Sequence, residues 1–266
     1  MHPKTTLAAY DDFAWFYDRY WNEEFHSLAF PILRRIFLAR LPAGARILDV
    51  CCGTGYLAGL LVHCGYRVTG FDASSEMIRY ARLNVPSADF EVCGAASFLP
   101  PLRADDRFEG AVSTFDSLNH ILEKDELHAA FRNVAQALRP GAIFAFDMLL
   151  EEAYRTRWGE AFALVRDDHV LTITASGYDF RSRLASCTLT MFRLLEGAWR
   201  RSDSVIHERC YTTKEIGAAL EQAGFEQLVC YSAQDLGMAG QLGEGRTFFV
   251  AVNCPESDRP RAAAAW

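Results

Sequence analysis

The sequence predicts an α/β fold: a seven-stranded, mostly parallel sheet with helices on both faces, plus an inserted antiparallel β-ribbon. Three observations predict it. Short apolar runs alternate with amphipathic helical stretches from Arg46 to Met148, which is the pattern of successive βαβ units. The first run, Ile47 to Val50, passes through the glycine turn Gly53-Thr-Gly55 into a helix starting near Tyr56. Between residues 160 and 210 the pattern becomes β-type runs parted by turn residues such as Arg166-Asp-Asp168 and Glu196-Gly197.

Taken in order, residues 7 to 22 are too dense in aromatic rings for a tail and should fold over something. Phe13 and Phe16 suit core packing, whereas Tyr17 and Trp21 suit packing or a ligand equally. A helix from about Phe25 to Leu41 sets Leu28, Ile32 and Ile36 on one face, with Pro31 delaying or kinking it. After the glycine turn, the helix carrying Leu57, Leu60, Leu61 and Cys64 stops at Gly65. The run Tyr66 to Phe71 ends in Asp72, and Ser74 caps a helix with Met77, Ile78 and Ala81 inward. Strands Phe90–Cys93 and Phe108–Ser113 follow, then a helix built on Leu127, Phe131, Val134 and Leu138, then the apolar strand Ala142–Met148. The inserted runs are 162–165, 170–174, 186–192 and 204–208. Thr212 and Glu215 form a capping box for a helix ending at Gly224, and 225–231 with 247–252 supply an antiparallel strand pair.

The first strand, the glycines and a helix start make a nucleotide-type site, because free N–H groups there point at a ligand. Asp72 lies 23 residues after Asp49, at the tip of the second strand, where a carboxylate can grip a ribose diol. A dinucleotide fingerprint needs G-x-G-x-x-G, and Gly59 comes one residue late for it. That disfavours an NAD-dependent oxidoreductase.

The segment Leu48-Asp49-Val-Cys51-Cys52-Gly53-Thr54-Gly55 resembles the first motif of the class I S-adenosylmethionine (SAM) methyltransferases, and Leu138 to Asp147 resembles another of their motifs. The resemblance implies a Rossmann-like core with SAM as cofactor and S-adenosylhomocysteine as product. It further implies that Phe13-Ala-Trp-Phe-Tyr17-Asp18 closes over the pocket, and that Tyr17, Trp21, Asp49, Cys51, Gly53, Gly55, Asp72, Ala73 and Met77 hold the cofactor. Gly94, Ala95 and Ala96, with Thr114 and Phe115, complete that set; relatives carry aspartate where this chain has Ala95, leaving the adenine to backbone groups. The nearest look is to methyltransferases acting on nitrogen in amino sugars or glycine.

Methyl transfer from a sulfonium is an in-line displacement, so orientation and a dry pocket matter most. A base matters only for a hydroxyl or a protonated amine. The candidates are His120, Asp116 and Tyr17, with Asn119, His207 and Tyr178 in reach. Asp116 suits a counter-charge to an amine or a cap for the next turn.

The expected organisation is a helical lid (1–43), a SAM-binding core (44–150), a β insertion bearing acceptor specificity and a homodimer contact (151–210), the rest of the core (211–254) and a disordered tail (255–266). A net charge of −7 argues against nucleic acid. Eight cysteines without zinc spacing, no signal peptide and no long apolar run suit a reduced, cytoplasmic protein without metal or membrane contact. The expected activity is methylation of a small molecule, nitrogen before oxygen. The alternatives are an O-methyltransferase and a SAM-binding protein that does not methylate, either a lyase or a regulatory binder.

Overall fold

A computed structural model describes residues 6–101, 103–157 and 161–254. The chain opens with helices α1 (Thr6–Tyr20) and α2 (Asn22–Ile36), then strand β1 (Arg46–Val50), α3 (Tyr56–His63), β2 (Arg67–Asp72) and α4 (Ser75–Asn84). Strands β3 (Asp89–Val92) and β4 (Phe108–Ser113), helix α5 (Lys124–Ala137) and strand β5 (Leu138–Leu149) follow. Helix α6 (Glu151–Arg157) leads to β6 (Ala161–Val165), β7 (His169–Asp179), β8 (Leu184–Leu195) and β9 (Ala198–Arg209). Helix α7 (Thr213–Ala223) and strands β10 (Phe225–Ser232) and β11 (Arg246–Asn253) end the described chain.

The main sheet has seven strands in the order β10-β11-β5-β4-β1-β2-β3. β1 is parallel to β2 and to β4, and being covered on both faces it reads as one apolar run. β11 runs antiparallel to β5 and β10, as expected for the last pair. On one face α5 and α7 bury Leu127, Phe131, Ile216 and Leu220; on the other α2, α3 and α4 bury Ile32, Leu33, Leu61 and Ile78. The chain reverses direction across the sheet between β1 and β4, so the loops leaving these two strands diverge and open a crevice.

The caps behave as their residue types require. Met77 N–H donates to Ser74 Oγ at 3.1 Å, and Glu215 N–H to Thr212 Oγ1 at 3.2 Å. Element boundaries are corrected in two places. The second helix ends at Ile36, and Leu38–Arg40 forms a separate 3-10 turn. The insertion is a four-stranded sheet, β6-β7-β8-β9, whose strands outrun their apolar stretches. Its positions alternate between the cavity side and solvent, so β9 needs only Ser204, Ile206 and Glu208 inward while Arg200 and Arg201 stay exposed. The tail expected from 255 onward lies outside the described residues.

The rings of α1 are the core between the two sheets: Phe13 and Phe16 pack with Leu164, Leu171, Leu189, Met191 and Ile206. Polar anchors fix the helix from outside. Asp11 Oδ1 accepts from Ser74 Oγ (2.6 Å) and Glu76 N–H (3.1 Å), and Asp18 Oδ1 accepts from Asn84 Nδ2 (2.7 Å).

Candidate active site

The crevice wall after β1 depends on backbone that only glycine adopts freely. Gly55 has φ 79°, and a Cβ there would sit 3.1 Å from the Ala81 backbone, so a larger residue would push α3 off α4. Asp72 ties this turn to the next strand: Oδ2 accepts from Gly53 N–H (3.0 Å) and Oδ1 from Ser74 N–H (2.9 Å). Burial raises its pKa while these N–H groups pull it down. With the Ala73 N–H also acting on it, the carboxylate keeps one lone pair for a ligand. Beneath lies Asp49, 1% exposed, its pKa pushed up to about 8 by burial first and by Asp72 second. Its Oδ2 is a buried atom without a hydrogen-bond partner among the described residues.

The opposing wall after β4 is held by a buried ionic network. Phe115 (φ 62°) and Asp116 (φ 50°) are consecutive left-handed residues, a conformation costing ~1–3 kcal/mol for each. Asp147 offsets that cost by accepting from the N–H groups of both, at 2.7 and 3.1 Å. Arg246, 2% exposed, pairs with Asp147 and with Asp116 Oδ1 (2.6 Å), donates through Nε to Leu242 O (2.8 Å), and lies over the Phe25 ring. The Asp116 side chain therefore makes no capping bond to the turn it opens; its charge answers Arg246. Sequence reasoning missed both Asp147 and Arg246 in this role. An aspartate inside the apolar strand β5 was the one available signal.

His120 is oriented from two sides. Its Nδ1 lies 3.0 Å from His207 O, which only a protonated nitrogen satisfies, so Nε2 is the acceptor for Tyr10 O–H at 2.9 Å. Burial is the largest influence on its pKa and lowers it, against smaller raising effects of Asp116 and the His207 carbonyl. Glu208 Oε1 stands 3.9 Å from Nε2, and Glu208 Oε2 accepts from Tyr154 O–H at 2.9 Å.

Both walls face one cavity of about 690 Å³. Of the residues predicted from sequence, Tyr17, Trp21, Cys51, Gly53, Asp72, Ala73 and Met77 line it, as do Gly94, Ala95, Ala96, Phe115, Asp116 and His120. Asp49, Gly55 and Thr114 do not. Asp49 lies behind the turn, Gly55 is turned toward Ala81, and Thr114 is buried beside His26. Asn119 is a clamp, bonding Leu149 N and O and Arg209 O. His207 contributes its carbonyl, and Tyr178 stacks on Tyr154 outside the cavity. The Ala95 and Ala96 carbonyls each accept from Asn133 Nδ2, which fixes the loop expected beside the adenine. The Cys51 thiol is pushed up by burial, consistent with a space-filling role.

An adenosyl sulfonium fits these residues: a held carboxylate, ring faces from Phe13 and Tyr17, and no lysine or arginine in the described lining. Residues 47–141 match the family described as methyltransferase domain. This chain is a SAM-dependent methyltransferase. The enzyme is 28% identical over 190 residues to a putative methyltransferase of Bacillus subtilis, covering 71% of this chain and 76% of that one. Its fold matches a SAM-dependent methyltransferase of Clostridium acetobutylicum with a TM-score of 0.71 at 20% identity, covering 92% and 99% of the two chains. A SAM-bound amino pentose methyltransferase of Micromonospora echinaspora matches with a TM-score of 0.66 at 22% identity, covering 86% and 91%.

Proposed function

We propose that this methyltransferase acts on nitrogen in a small molecule. The observation that carries this reading is the charge of the cavity wall: Asp72, Asp116, Glu123, Glu126 and Glu208 line it, and no described lysine or arginine does. Such a wall favours a cationic amine over a neutral or anionic acceptor. The fold-level likeness to an amino pentose methyltransferase points the same way.

SAM supplies an electrophilic methyl group on a sulfonium. Asp72 takes the ribose diol, while Met77, Ala95 and Ala96 border the adenine, and the turn Cys51–Gly55 approaches the amino-acid end above Asp49. Tyr17 and Phe13 offer ring faces to a cation. Residues 1–43 act as the lid, with α1 excluding water, and 44–150 and 211–254 form the binding core. The insertion 151–210 closes the acceptor end and carries its specificity. Its exposed Phe162, Val165 and Trp199 suit a homodimer contact. No described helix is long and apolar enough to cross a membrane; we place the enzyme in the cytoplasm, acting without nucleic acid.

Neutral His120 is the base in this reading, its Nε2 directed into the cavity. One observation favours a second reading: Tyr10 places a hydroxyl 2.9 Å from Nε2, a geometry that an acceptor hydroxyl can copy for O-methylation. Incubation with SAM and matched panels of amines and alcohols, read as S-adenosylhomocysteine formed, separates the two. Turnover of amines supports N-methylation, turnover of alcohols alone overturns it, and tight SAM binding without any product overturns both. His120→Ala should lower kcat by about 10²–10⁴-fold with SAM affinity intact; full activity would remove His120 from the chemistry.

A further inference from the structure

We infer that Asp116, His120 and Glu208 form an ammonium seat, with Glu208 the residue that selects a primary or secondary amine. The inference rests on the nitrogen-acceptor reading and narrows it to a substrate class.

Three chain segments bring the seat together: the loop after β4 (Asp116, His120), strand β9 (Glu208) and helix α1, whose Tyr10 covers it. One ligand atom from each of Asp116, His120 and Glu208 lies within 4.8 Å of the others, and the His120–Glu208 edge is 3.9 Å. A divalent metal with bonds near 2.1 Å would hold neighbouring donors about 3.0 Å apart in octahedral and about 3.4 Å apart in tetrahedral geometry. A nitrogen donating tetrahedral N–H bonds of about 2.9 Å places its acceptors up to about 4.7 Å apart. The triangle is therefore sized for an N–H donor.

All three groups accept. Nδ1–H of His120 is committed to His207 O and burial keeps the ring neutral, so Nε2 is an acceptor; the Tyr10 hydroxyl holds its lone pair at 2.9 Å, and the ammonium takes that hydroxyl's place. Glu208 is 6% exposed and oriented by Tyr154, with its other oxygen toward His120. Asp116 Oδ1 is held by Arg246, so the seat carries less net charge than two free carboxylates. Beside it Ile173, Cys187, Leu189 and Ile206 form an apolar wall on the cavity, suited to the carbon body of the amine.

In the reaction an ammonium R–NH3⁺ gives one proton to His120 Nε2, forming imidazolium flanked by Glu208 and Asp116. Rotation about the C–N bond turns the freed lone pair to the methyl. The C–N bond forms as the C–S bond breaks, and the sulfur keeps that electron pair as the thioether of S-adenosylhomocysteine. Each methyl added removes one N–H donor, so the seat's grip weakens as methylation proceeds.

The test uses full-length enzyme saturated with S-adenosylhomocysteine, titrated calorimetrically with cyclohexylammonium, cyclohexanol and cyclohexyltrimethylammonium. The expected order places cyclohexylammonium roughly tenfold or more ahead of both others, the worth of charge-assisted hydrogen bonds. Glu208→Gln should erase that lead while S-adenosylhomocysteine still binds, and Tyr154→Phe, which keeps the carboxylate, should reduce it in part. Equal binding of cyclohexanol overturns the seat. So does equal binding of the quaternary cation, which would indicate general acidity without N–H recognition. A lead that survives Glu208→Gln removes Glu208 from the selection. Failure of S-adenosylhomocysteine itself to bind would instead strike the methyltransferase reading on which the seat depends.

Discussion

Arg246 shows how much of the site rests on groups remote from it in sequence. It joins Asp147 on β5 to Asp116 on the loop after β4, 99 and 130 residues away. Replacing it with leucine leaves two buried carboxylates unpaired, and we expect a loss of about 3–5 kcal/mol in chemical denaturation. A loss within 1 kcal/mol would show that the network contributes little. Asp49 behaves oppositely. Its pKa of about 8 in the fold exceeds the ordinary 3.8, so the folded protein is penalised as pH rises between those values. Asp49→Asn should therefore stabilise the ligand-free protein by about 1–3 kcal/mol at pH 8, with the gain shrinking toward pH 5, and should weaken SAM binding. A gain that grows on acidification would contradict the burial of a charge there. Asp72 and His120 were legible in the sequence because motif spacing and strand tips mark them. The Arg246 pairing was not, since an arginine opening a strand looks like any solvated end, and Glu208 was hidden because a lone acid in a β run carries no periodic signal.

At the scale of elements, α1 was legible from its rings, and its job of separating the two sheets follows from their number. Its attachment was not, because Asp11 and Asp18 look like ordinary surface acids until α4 is seen beside them. Asp11 adds a second acceptor at the start of α4, next to Ser74. Asp11→Ala should cost about 1 kcal/mol of stability and raise KM for SAM severalfold with a smaller change in kcat. An unchanged KM would detach the helix anchor from cofactor binding. The insertion's existence was readable from its β runs, whereas its strand lengths were not, because hairpin pairing through Glu196-Gly197 (φ 51° and 77°) extends well past the apolar residues.

Across the whole molecule, the crevice sits where the strand order reverses, and that placement follows from the alternation of strands and helices in the sequence. The cavity is assembled from α1, the β1 and β4 loops and the second sheet, so a ligand there bridges all of them. SAM at a hundred times its Kd should raise stability by about 2.7 kcal/mol, seen as an upward shift of Tm. No shift at saturating SAM would mean that the folded chain does not take up the cofactor.

The carbonyl of His207 that fixes which imidazole nitrogen of His120 bears hydrogen belongs to the same strand that presents Glu208. Recognition of the acceptor and handling of its proton are thus inherited as a package. An engineer who grafts a foreign hairpin here to change substrate preference will also reset the tautomer, and must design for both traits at once.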